Sequence, residues 1–498
     1  MDVGNLLGQL AVLDIQLTRR GDDLLFDAPE EVLSGELVAR LRTHKPAILR
    51  YLADDSLPPV ERTGLATPIQ RHMALRHDAN PRPEVWNVPV RIDLSGALNE
   101  AVLIRSLEEL VKRHQVLRTR FAWLGGVYVQ QVLRFEQLDL VSVDLRDPTS
   151  TKDERGTVVD QWCTEIAQIP FSLLTDASMR VGLARTNRDQ WTLVLVQHHI
   201  LTDAVSVSTL LTDLGALYRT ITRGDTPEEA TEEQFIDYAR RMARRAKEGA
   251  LEPATAHWFE LLAGARAGVR LPFPRSRPIT PSGAGRLICR RLDHALRTEL
   301  ERTANHVSST IFTVFVVGFT RLLSLLSGSD DVLITSSFGN RSEAAIETLP
   351  GLFANPIPLR VRFSPEETVA ELLYATARQM SLALDHQELP QPLAQALDHR
   401  VVADVDGGTV AGFSMNHDVT EDLTLPGVKA DILDVPIDAA RTDLMVVCVE
   451  EREDLVLQVE YSTDVLDEQT VGAWLTRFEN LLRSIGSKLP EPVARWTA

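Results

Sequence analysis

The stretch WTLVLVQHHILTDAVSVSTLLTDLGALY covers residues 191–218 and changes its hydrophobic pattern halfway. Its first part, WTLVLVQ (191–197), is almost continuously apolar, which predicts a strand covered on both faces. Its last part, VSVSTLLTDLGALY (205–218), spaces its leucines as one face of a helix does. His198 and His199 therefore lie at the edge where a buried strand passes into a helix.

The two adjacent histidines have different predicted orientations. Successive side chains of an extended backbone point to opposite sides, so one imidazole faces a cavity while the other supports the loop. Asp203 lies where the helix begins and suits the positive end of the helix dipole. The motif by itself leaves general acid–base chemistry and a purely structural pair equally open. No neighbouring Cys, His or Glu completes a metal site, and the G-x-S-x-G elbow of serine hydrolases is missing.

The composition narrows the class of protein. The chain has 498 residues, enough for two or three packing units, and a formal charge of −18. That charge speaks against a general nucleic-acid or anionic-membrane binder, because both partners would be repelled. The three cysteines form no CxxC pair, the N-terminus lacks a basic signal-peptide flank, and the longest apolar stretch (311–319) is too short for a bilayer. We expect a cytoplasmic protein with neither nucleic-acid nor membrane partners.

Turn and linker signals divide the chain. Residues 1–53 contain a helical segment, two short strands around a glycine turn, a helix from about Ser34, a break before Pro46 and a second short helix. Acids and a Pro-Pro pair predict a linker over 54–64, and the proline- and glycine-rich stretch 272–285 predicts a crossing between two lobes. The predicted units are 1–53, 54–64, 65–274 and 275–498.

HHILTDA (198–204) resembles the HHxxxDG signature of a superfamily that includes carnitine-type and chloramphenicol-type acyltransferases. Further ordered matches over about 65–485 narrow the resemblance to the condensation domains of nonribosomal peptide synthetases. The matching segments are LATPIQRHMAL (65–75), KRHQVLRTRF (112–121), FIDYARRM (235–242), FGNRSEAAIETLPGLFANPIPLRVRF (338–363), DHQELP (385–390) and RTDLMVVCVEEREDLVLQVEYSTDVLDEQTV (441–471).

The resemblance implies an α/β (α+β) fold of two chloramphenicol-acetyltransferase-like lobes in a V-shaped pseudo-dimer with a tunnel between them. Two phosphopantetheine arms of carrier proteins enter this tunnel, one with the acyl donor and one with the acceptor, and no cofactor is bound. His199 then removes a proton from the attacking amine or hydroxyl, or orients that nucleophile. Histidine suits this task because its pKa lies near working pH.

The resemblance also implies roles for the neighbours of His199. His198 and Asp203 support the loop, and Asp203 is expected to pair with Arg341 of the second lobe. Such a pair holds geometry well but is weak evidence for stability.

Arg118 and Asn355 each have two interpretations, and Ala204 departs from the family's motif. Arg118 either contributes to the same polar floor or forms an ordinary surface salt bridge. Asn355 either lies near the tunnel or satisfies a turn at a strand end. Ala204 stands where the family's motif ends in glycine, and we expect it to affect substrate fit more than competence.

Residues 1–53 resemble a β-hairpin docking domain of the tubulysin-synthetase type, with the element order αββαα. LTRRGDDLLFDAP (17–29) matches its hairpin and LVARLRTHKPAILRYL (37–52) its final helices. A hairpin edge accepts one more strand from the tail of an upstream acyl or peptidyl carrier protein, and basic side chains of the unit attract acidic ones on that tail. Alternatively, these basic side chains merely solvate the unit. The basic residues concerned are Arg19, Arg20, Lys45 and Arg50.

We therefore expect a stand-alone condensation enzyme that transfers an acyl group from a carrier thioester to an amine or hydroxyl. The acceptor is the cargo of a second carrier protein or a free small molecule. The alternatives are a coenzyme A-dependent acyltransferase of the same superfamily and a non-catalytic platform that binds a carrier. The sequence decides neither the identity of donor and acceptor nor amide against ester formation.

Overall fold

In the computed structural model, the chain forms an N-terminal unit and two larger lobes. Each lobe is a β-sheet covered by helices, which confirms the predicted two-lobed α/β fold. The structure describes all residues except 1–2, 21–22, 30–31, 53–57, 148, 150, 229–232, 266–267, 389–410, 418–421, 452–453 and 498.

The N-terminal unit has the order αββα, so the predicted second short helix is wrong. Its last helix runs through Pro46 without a break. Pro46 lacks the N–H that would bond the carbonyl of Arg42, but both residues are exposed, while Leu41 and Ile48 are buried and hold the helix in place. The elements are α1 (Val3–Val12), β1 (Gln16–Arg20), β2 (Asp23–Asp27) and α2 (Gly35–Tyr51).

The first lobe is a five-stranded sheet with helices on both faces, beside a small three-stranded sheet of order β3-β6-β5. The predicted linker over 54–64 is wrong in its second half, because residues 60–64 belong to a strand that pairs with β6. The elements are β3 (Val60–Leu65), α3 (Pro68–Ala79), β4 (Asn87–Gly96), α4 (Glu100–Arg113), β5 (Thr119–Leu124), β6 (Val127–Leu133), β7 (Leu140–Asp144), α5 (Lys152–Gln168), β8 (Met179–Asn187), β9 (Gln190–His198), α6 (Ala204–Thr222), α7 (Phe235–Lys247) and α8 (Glu252–Leu262).

Strand β9 lies in the middle of the larger sheet and accounts for the continuous apolar run. Leu193 and Leu195 pack into the core formed with α4 and α6, whereas Val194 and Val196 pack against α5 on the opposite face. Alternate side chains of a strand point to opposite faces, so a strand covered on both faces must be apolar throughout. The predicted strand and helix around the two histidines are confirmed.

The second lobe is a six-stranded sheet of order β10-β16-β15-β13-β11-β12. Its core includes a cluster of aromatic rings between the sheet and two helices, with Phe315, Phe413 and Phe478 in mutual contact. The elements of residues 275–498, of which β14 alone lies in the sheet of the first lobe among the described strands, are β10 (Gly285–Leu292), α9 (His294–His306), α10 (Ile311–Ser327), β11 (Asp331–Phe338), β12 (Asn355–Arg362), α11 (Val369–Asp385), β13 (Ala411–His417), β14 (Val428–Leu433), β15 (Leu444–Glu451), β16 (Asp454–Ser462) and α12 (Glu468–Lys488).

One strand crosses between the lobes. Although β14 falls within the predicted second lobe 275–498, it pairs antiparallel with β4 at the edge of the first lobe's sheet. A single boundary near residue 275 therefore does not separate the lobes, because residues 428–433 return to the first one. This exchange ties the two lobes together through backbone hydrogen bonds.

The N-terminal unit packs directly on the first lobe. Its buried leucines share one apolar core with Val60, Val129 and Leu133 of the three-stranded sheet. Arg240 of α7 adds ion pairs to two aspartates of the unit, Asp14 at 2.6 Å and Asp27 at 2.5 Å. The unit is thus anchored on the lobe by a common core and by charge.

Within the described ranges, no single helix has both the length and the apolar content needed to cross a bilayer. Helices α9 and α10 reach these limits only when they are taken together, across a bend of 101°.

Candidate active site

His198 is the last residue of β9 and its ring turns into the protein. It is fully buried, its Nδ1 accepts the N–H of Ile200 at 3.0 Å, and its Nε2 lies 3.1 Å from Nδ1 of His77. Burial is the main cause that lowers the pKa of His198 well below its ordinary value, and the nearby His77 and His199 lower it further. A neutral His198 therefore supports the loop, as the alternation of side chains along a strand predicts.

His199 begins a 3-10 turn, His199–Leu201, and points the other way. Its Nδ1 lies 2.8 Å from the carbonyl oxygen of Thr202. A carbonyl only accepts, so Nδ1 must carry the proton, and in the neutral ring the lone pair is on Nε2. Burial, followed by the positive charge of Arg441, lowers the pKa of His199. The ring is thus held as a neutral acceptor of protons.

The ring of His199 lines a pocket of about 180 Å³ between the two lobes. One wall comes from α3, the turn after it and the histidine loop, and the other wall comes from the second lobe. The pocket is mostly apolar, with a few charged groups. From the first lobe it is lined by Ile69, His72, Met73, Arg76, Trp86 and His199, and from the second by Thr335, Ser336, Ser337, Leu352, Ala354, Pro356, Arg441, Thr442, Met445 and Glu460.

Asp203 caps the N-terminus of α6 and joins it to the second lobe. Its Oδ1 accepts the N–H and the hydroxyl of Ser206, and its Oδ2 accepts the N–H groups of Phe353 and Ala354. Nη2 of Arg341 donates to both carboxylate oxygens, at 2.9 and 3.1 Å. The predicted pair is therefore present, and both of its side chains are buried.

Arg341 is itself held by the backbone of its own lobe. Its Nη1 donates to the carbonyls of Ile346 and Leu349, both at 2.7 Å, and its guanidinium stacks on the ring of Phe353, 4.1 Å from the centroid. Its Nη2 also donates to the hydroxyl of Ser206. The pair is the centre of a buried network that spans the two lobes.

Two predicted members of the site, Arg118 and Asn355, are not among the residues that line this pocket. Arg118 ends a 3-10 turn before β5, and its Nη1 is 2.6 Å from Oε2 of Glu61 and donates to the carbonyl of Leu133. Its side chain therefore contacts the three-stranded sheet and does not line the pocket. Asn355 begins β12 and its amide donates to the carbonyl of Gln387, away from the pocket. Its neighbours Ala354 and Pro356 line the pocket instead, because side chains alternate along the strand.

Ala204 is the first residue of α6, and its side chain is exposed and outside the pocket lining. The predicted effect on substrate fit therefore has no support from this pocket. Of the predicted docking residues, Lys45 pairs with Asp23 at 3.1 Å. The side chains of Arg19, Arg20 and Arg50 lie outside the described residues.

Several residues of the site were missed by the sequence analysis. His77, Arg76 and Ser206 have no motif of their own, and Arg441 and Glu460 come from segments more than two hundred residues after the histidines. The sequence of α3 gives one weak indication of His77, because this histidine shares the buried face of the helix with apolar residues such as Met73 and Ala74.

Two α/β lobes with a histidine pocket at their seam define a chloramphenicol-acetyltransferase-like fold. A family model described as condensation domain matches residues 60–497, and one described as TubC N-terminal docking domain matches residues 3–54. The chain belongs to the condensation domain family, whose members are generally amide-forming acyltransferases that act on phosphopantetheine-carried substrates, and it has a docking domain in front.

Similar proteins include large peptide synthetases. Malpinin synthetase of Mortierella alpina is 29% identical over 420 residues, which are 82% of this chain and 5% of that one. Tyrocidine synthase 2 of Brevibacillus parabrevis is 27% identical over 422 residues, 84% of this chain and 11% of that one. This chain thus spans only a small part, 5% and 11%, of the length of these relatives.

Solved structures share the fold at lower identity. The X-domain from teicoplanin biosynthesis superposes with a TM-score of 0.76 at 20% identity, covering 87% of this chain and 97% of that one. The SgcC5 protein of Streptomyces globisporus gives 0.72 at 19% identity, with 86% and 100% covered.

Proposed function

We propose that this protein transfers an acyl group from a carrier-protein phosphopantetheine thioester to an amine or hydroxyl, with His199 as the group that meets the nucleophile. The observation that carries the proposal is the orientation of His199. Its Nδ1 proton is bound by the carbonyl of Thr202, and its ring lines the pocket between the lobes, so Nε2 is the nitrogen left to accept a proton.

The proposed step needs no other catalytic side chain. Nε2 of His199 accepts the proton of the amine or hydroxyl as it attacks the thioester carbon. The carbon–sulfur bond then breaks, and the proton returns to the leaving thiolate. General-base help of this kind contributes about 10²–10⁴-fold, while positioning of two bound reactants can contribute more. The lowered pKa of His199 supports this role, because it keeps the base unprotonated near neutral pH.

The buried pair of Asp203 and Arg341 would position the histidine loop. Asp203 is four residues from His199 and accepts hydrogen bonds from both lobes. Loss of the pair would let the lobes shift and move Nε2 relative to the thioester. Small displacements are costly in catalysis, since a misplacement of about 1 Å can reduce the rate about 10²-fold.

The docking domain would bring in the donor. Strand β2 pairs with β1 along one edge, and within the described residues no strand pairs with its other edge. Leu25 and Phe26 on β2 are about half exposed, which supports the addition of a strand from the tail of an upstream carrier protein. Recruitment raises the effective concentration of the thioester without changing the chemistry.

Intact-protein mass spectrometry of an acyl-loaded carrier with its tail, mixed with candidate amines and alcohols, tests the proposal. With the native chain, the acyl mass should disappear from the carrier only when one particular candidate nucleophile is added. His199→Ala should abolish this transfer. Arg118→Met is a matched control outside the pocket and should retain it. Unchanged transfer by His199→Ala would refute the role of His199, whereas binding of the carrier without any transfer by the native chain would favour the carrier-binding platform. Equal use of the same acyl group on coenzyme A would favour the coenzyme A-dependent enzyme.

A further inference from the structure

A guanidinium group with free donors lies beside His199 in the pocket. Nε of Arg441 forms an ion pair with Oε2 of Glu460 at 3.3 Å, and the backbone N–H of Arg441 donates to Oε1 at 2.7 Å. Neither Nη atom of Arg441 donates to a residue in the described part of the chain. The side chain is 39% exposed, so these donors are accessible from the pocket.

Two further polar residues, Thr442 and Arg76, belong to the lining of the same pocket. The hydroxyl of Thr442 is buried and has no hydrogen-bond partner among the described residues. Nη2 of Arg76 donates to the carbonyl of Arg441 at 3.1 Å, which fixes the backbone and brings a second guanidinium to the pocket wall. Among the described residues that line the pocket, Glu460 is the sole acid, and Arg441 already engages it. A mostly apolar pocket in which the Nη donors of Arg441 are unused is suited to an anionic group.

We propose that Arg441, with the hydroxyl of Thr442, binds a carboxylate carried by the acceptor, so that the acceptors of this enzyme are amines or alcohols that are also carboxylic acids. The planar fork of an arginine matches a carboxylate with two parallel hydrogen bonds. This inference rests on the proposed function, because it assumes that an acceptor binds beside His199.

The carboxylate is assigned to the acceptor for two reasons. His199 must contact the nucleophile, and Arg441 lines the same pocket of about 180 Å³, so both groups contact one small molecule. The carboxyl of the donor is not available, because it is consumed in the thioester. The same holds for the α-carboxyl of a carrier-bound aminoacyl acceptor. The carboxylate therefore belongs to a free acceptor or to the side chain of a tethered acidic one.

Binding can be measured without turnover. The full chain is labelled with ¹³C at its histidines, the His199 resonance is assigned with His199→Ala, and the probes are N-acetylglycine and its neutral analogue N-acetylglycinamide. N-acetylglycine should shift His199 with an affinity at least about tenfold higher than the amide, since charge-assisted hydrogen bonds contribute about 1.5–3 kcal/mol, or about 10- to 150-fold. Arg441→Gln should remove the preference, and the exposed control Arg146→Gln should retain it.

The outcomes separate this inference from the proposed function. Equal binding of the two probes, no response to either, or a preference that survives Arg441→Gln each overturns it. In the carrier assay, Arg441→Gln should lower kcat/KM about tenfold or more for amino acids but not for their amides, and an equal loss for both would assign Arg441 to catalysis instead. The same assay with free amino acids and with carrier-bound aspartate as acceptors distinguishes the two sources of carboxylate. The acceptor whose use depends on Arg441 identifies the source. Absence of any transfer counts against the proposed function. Binding of the two probes, followed at the His199 resonance, still decides whether the carboxylate site is present.

Discussion

Replacing Arg341 by methionine tests whether the interlobe pair supports the active site. The substitution keeps an apolar side chain against Phe353 but removes the donors to both oxygens of Asp203 and to the carbonyls of Ile346 and Leu349. Both partners are buried, with side-chain exposures of 7% for Arg341 and 5% for Asp203. Removal of one partner of a buried pair usually costs about 3–5 kcal/mol.

The expected loss in the free energy of unfolding depends on which partners of Arg341 keep other hydrogen bonds. Asp203 retains four donors from Ser206, Phe353 and Ala354, so its charge is not left bare. The carbonyl of Leu349 loses its donor among the described residues, which costs about 1–3 kcal/mol for a buried group, whereas the carbonyl of Ile346 keeps the N–H of Leu349. We therefore expect Arg341→Met to lower the free energy of unfolding by about 3–4 kcal/mol. Arg341→Lys should rescue little, because one ammonium cannot span both sets of acceptors.

A double-mutant cycle with Asp203→Asn decides whether the pair is coupled. Urea unfolding of the two single variants and the double variant should give a coupling free energy above about 1 kcal/mol, since residues in one network are not additive. The carrier assay should show a loss of kcat larger than that of Arg118→Met, whose ion pair is outside the site. Additive costs within about 0.5 kcal/mol, or full activity of Arg341→Met, would refute the reasoning.

Two further predictions concern stability. Because burial lowers the pKa of His198 in the folded chain, the unfolded chain binds more protons below its ordinary pKa, and the free energy of unfolding should fall by about 1.4 kcal/mol per pH unit from this group as pH decreases below about 6.5. His198→Asn, which keeps an acceptor for the N–H of Ile200, should reduce that slope in urea unfolding at pH 7.5, 6.0 and 5.5, and an unchanged slope contradicts the assignment. A Cβ atom added at Gly8 of α1 would clash with the backbone carbonyl oxygen of Leu124, whereas one added at Gly156 of α5 would have no neighbouring atom within 4 Å. Gly156→Ala should therefore raise the melting temperature, as alanine does in helices, and Gly8→Ala should lower it, unless the docking domain does not pack on the lobe as described.

The fold could be predicted well where a local pattern was enough. The run at 191–197 is apolar at every position because both faces of β9 are covered, and the leucines of α6 follow the helical period. The continuity of α2 through Pro46 was missed, because burial of its apolar face outweighs the one hydrogen bond that proline removes. The return of β14 to the first lobe was missed as well, since strand pairing over more than three hundred residues leaves no local pattern.

The site divides in the same way. The sequence by itself determined the opposite orientations of His198 and His199 and the capping role of Asp203, because strand alternation and helix termini act between near neighbours in the chain. Only the tertiary structure decided that His77 supports His198 and that Arg441 lies beside His199. Those partners are separated by more than a hundred residues. Packing of α3 beside β9 within the first lobe brings His77 to His198, and packing of the two lobes around one pocket brings Arg441 to His199, contacts that no spacing in the chain encodes.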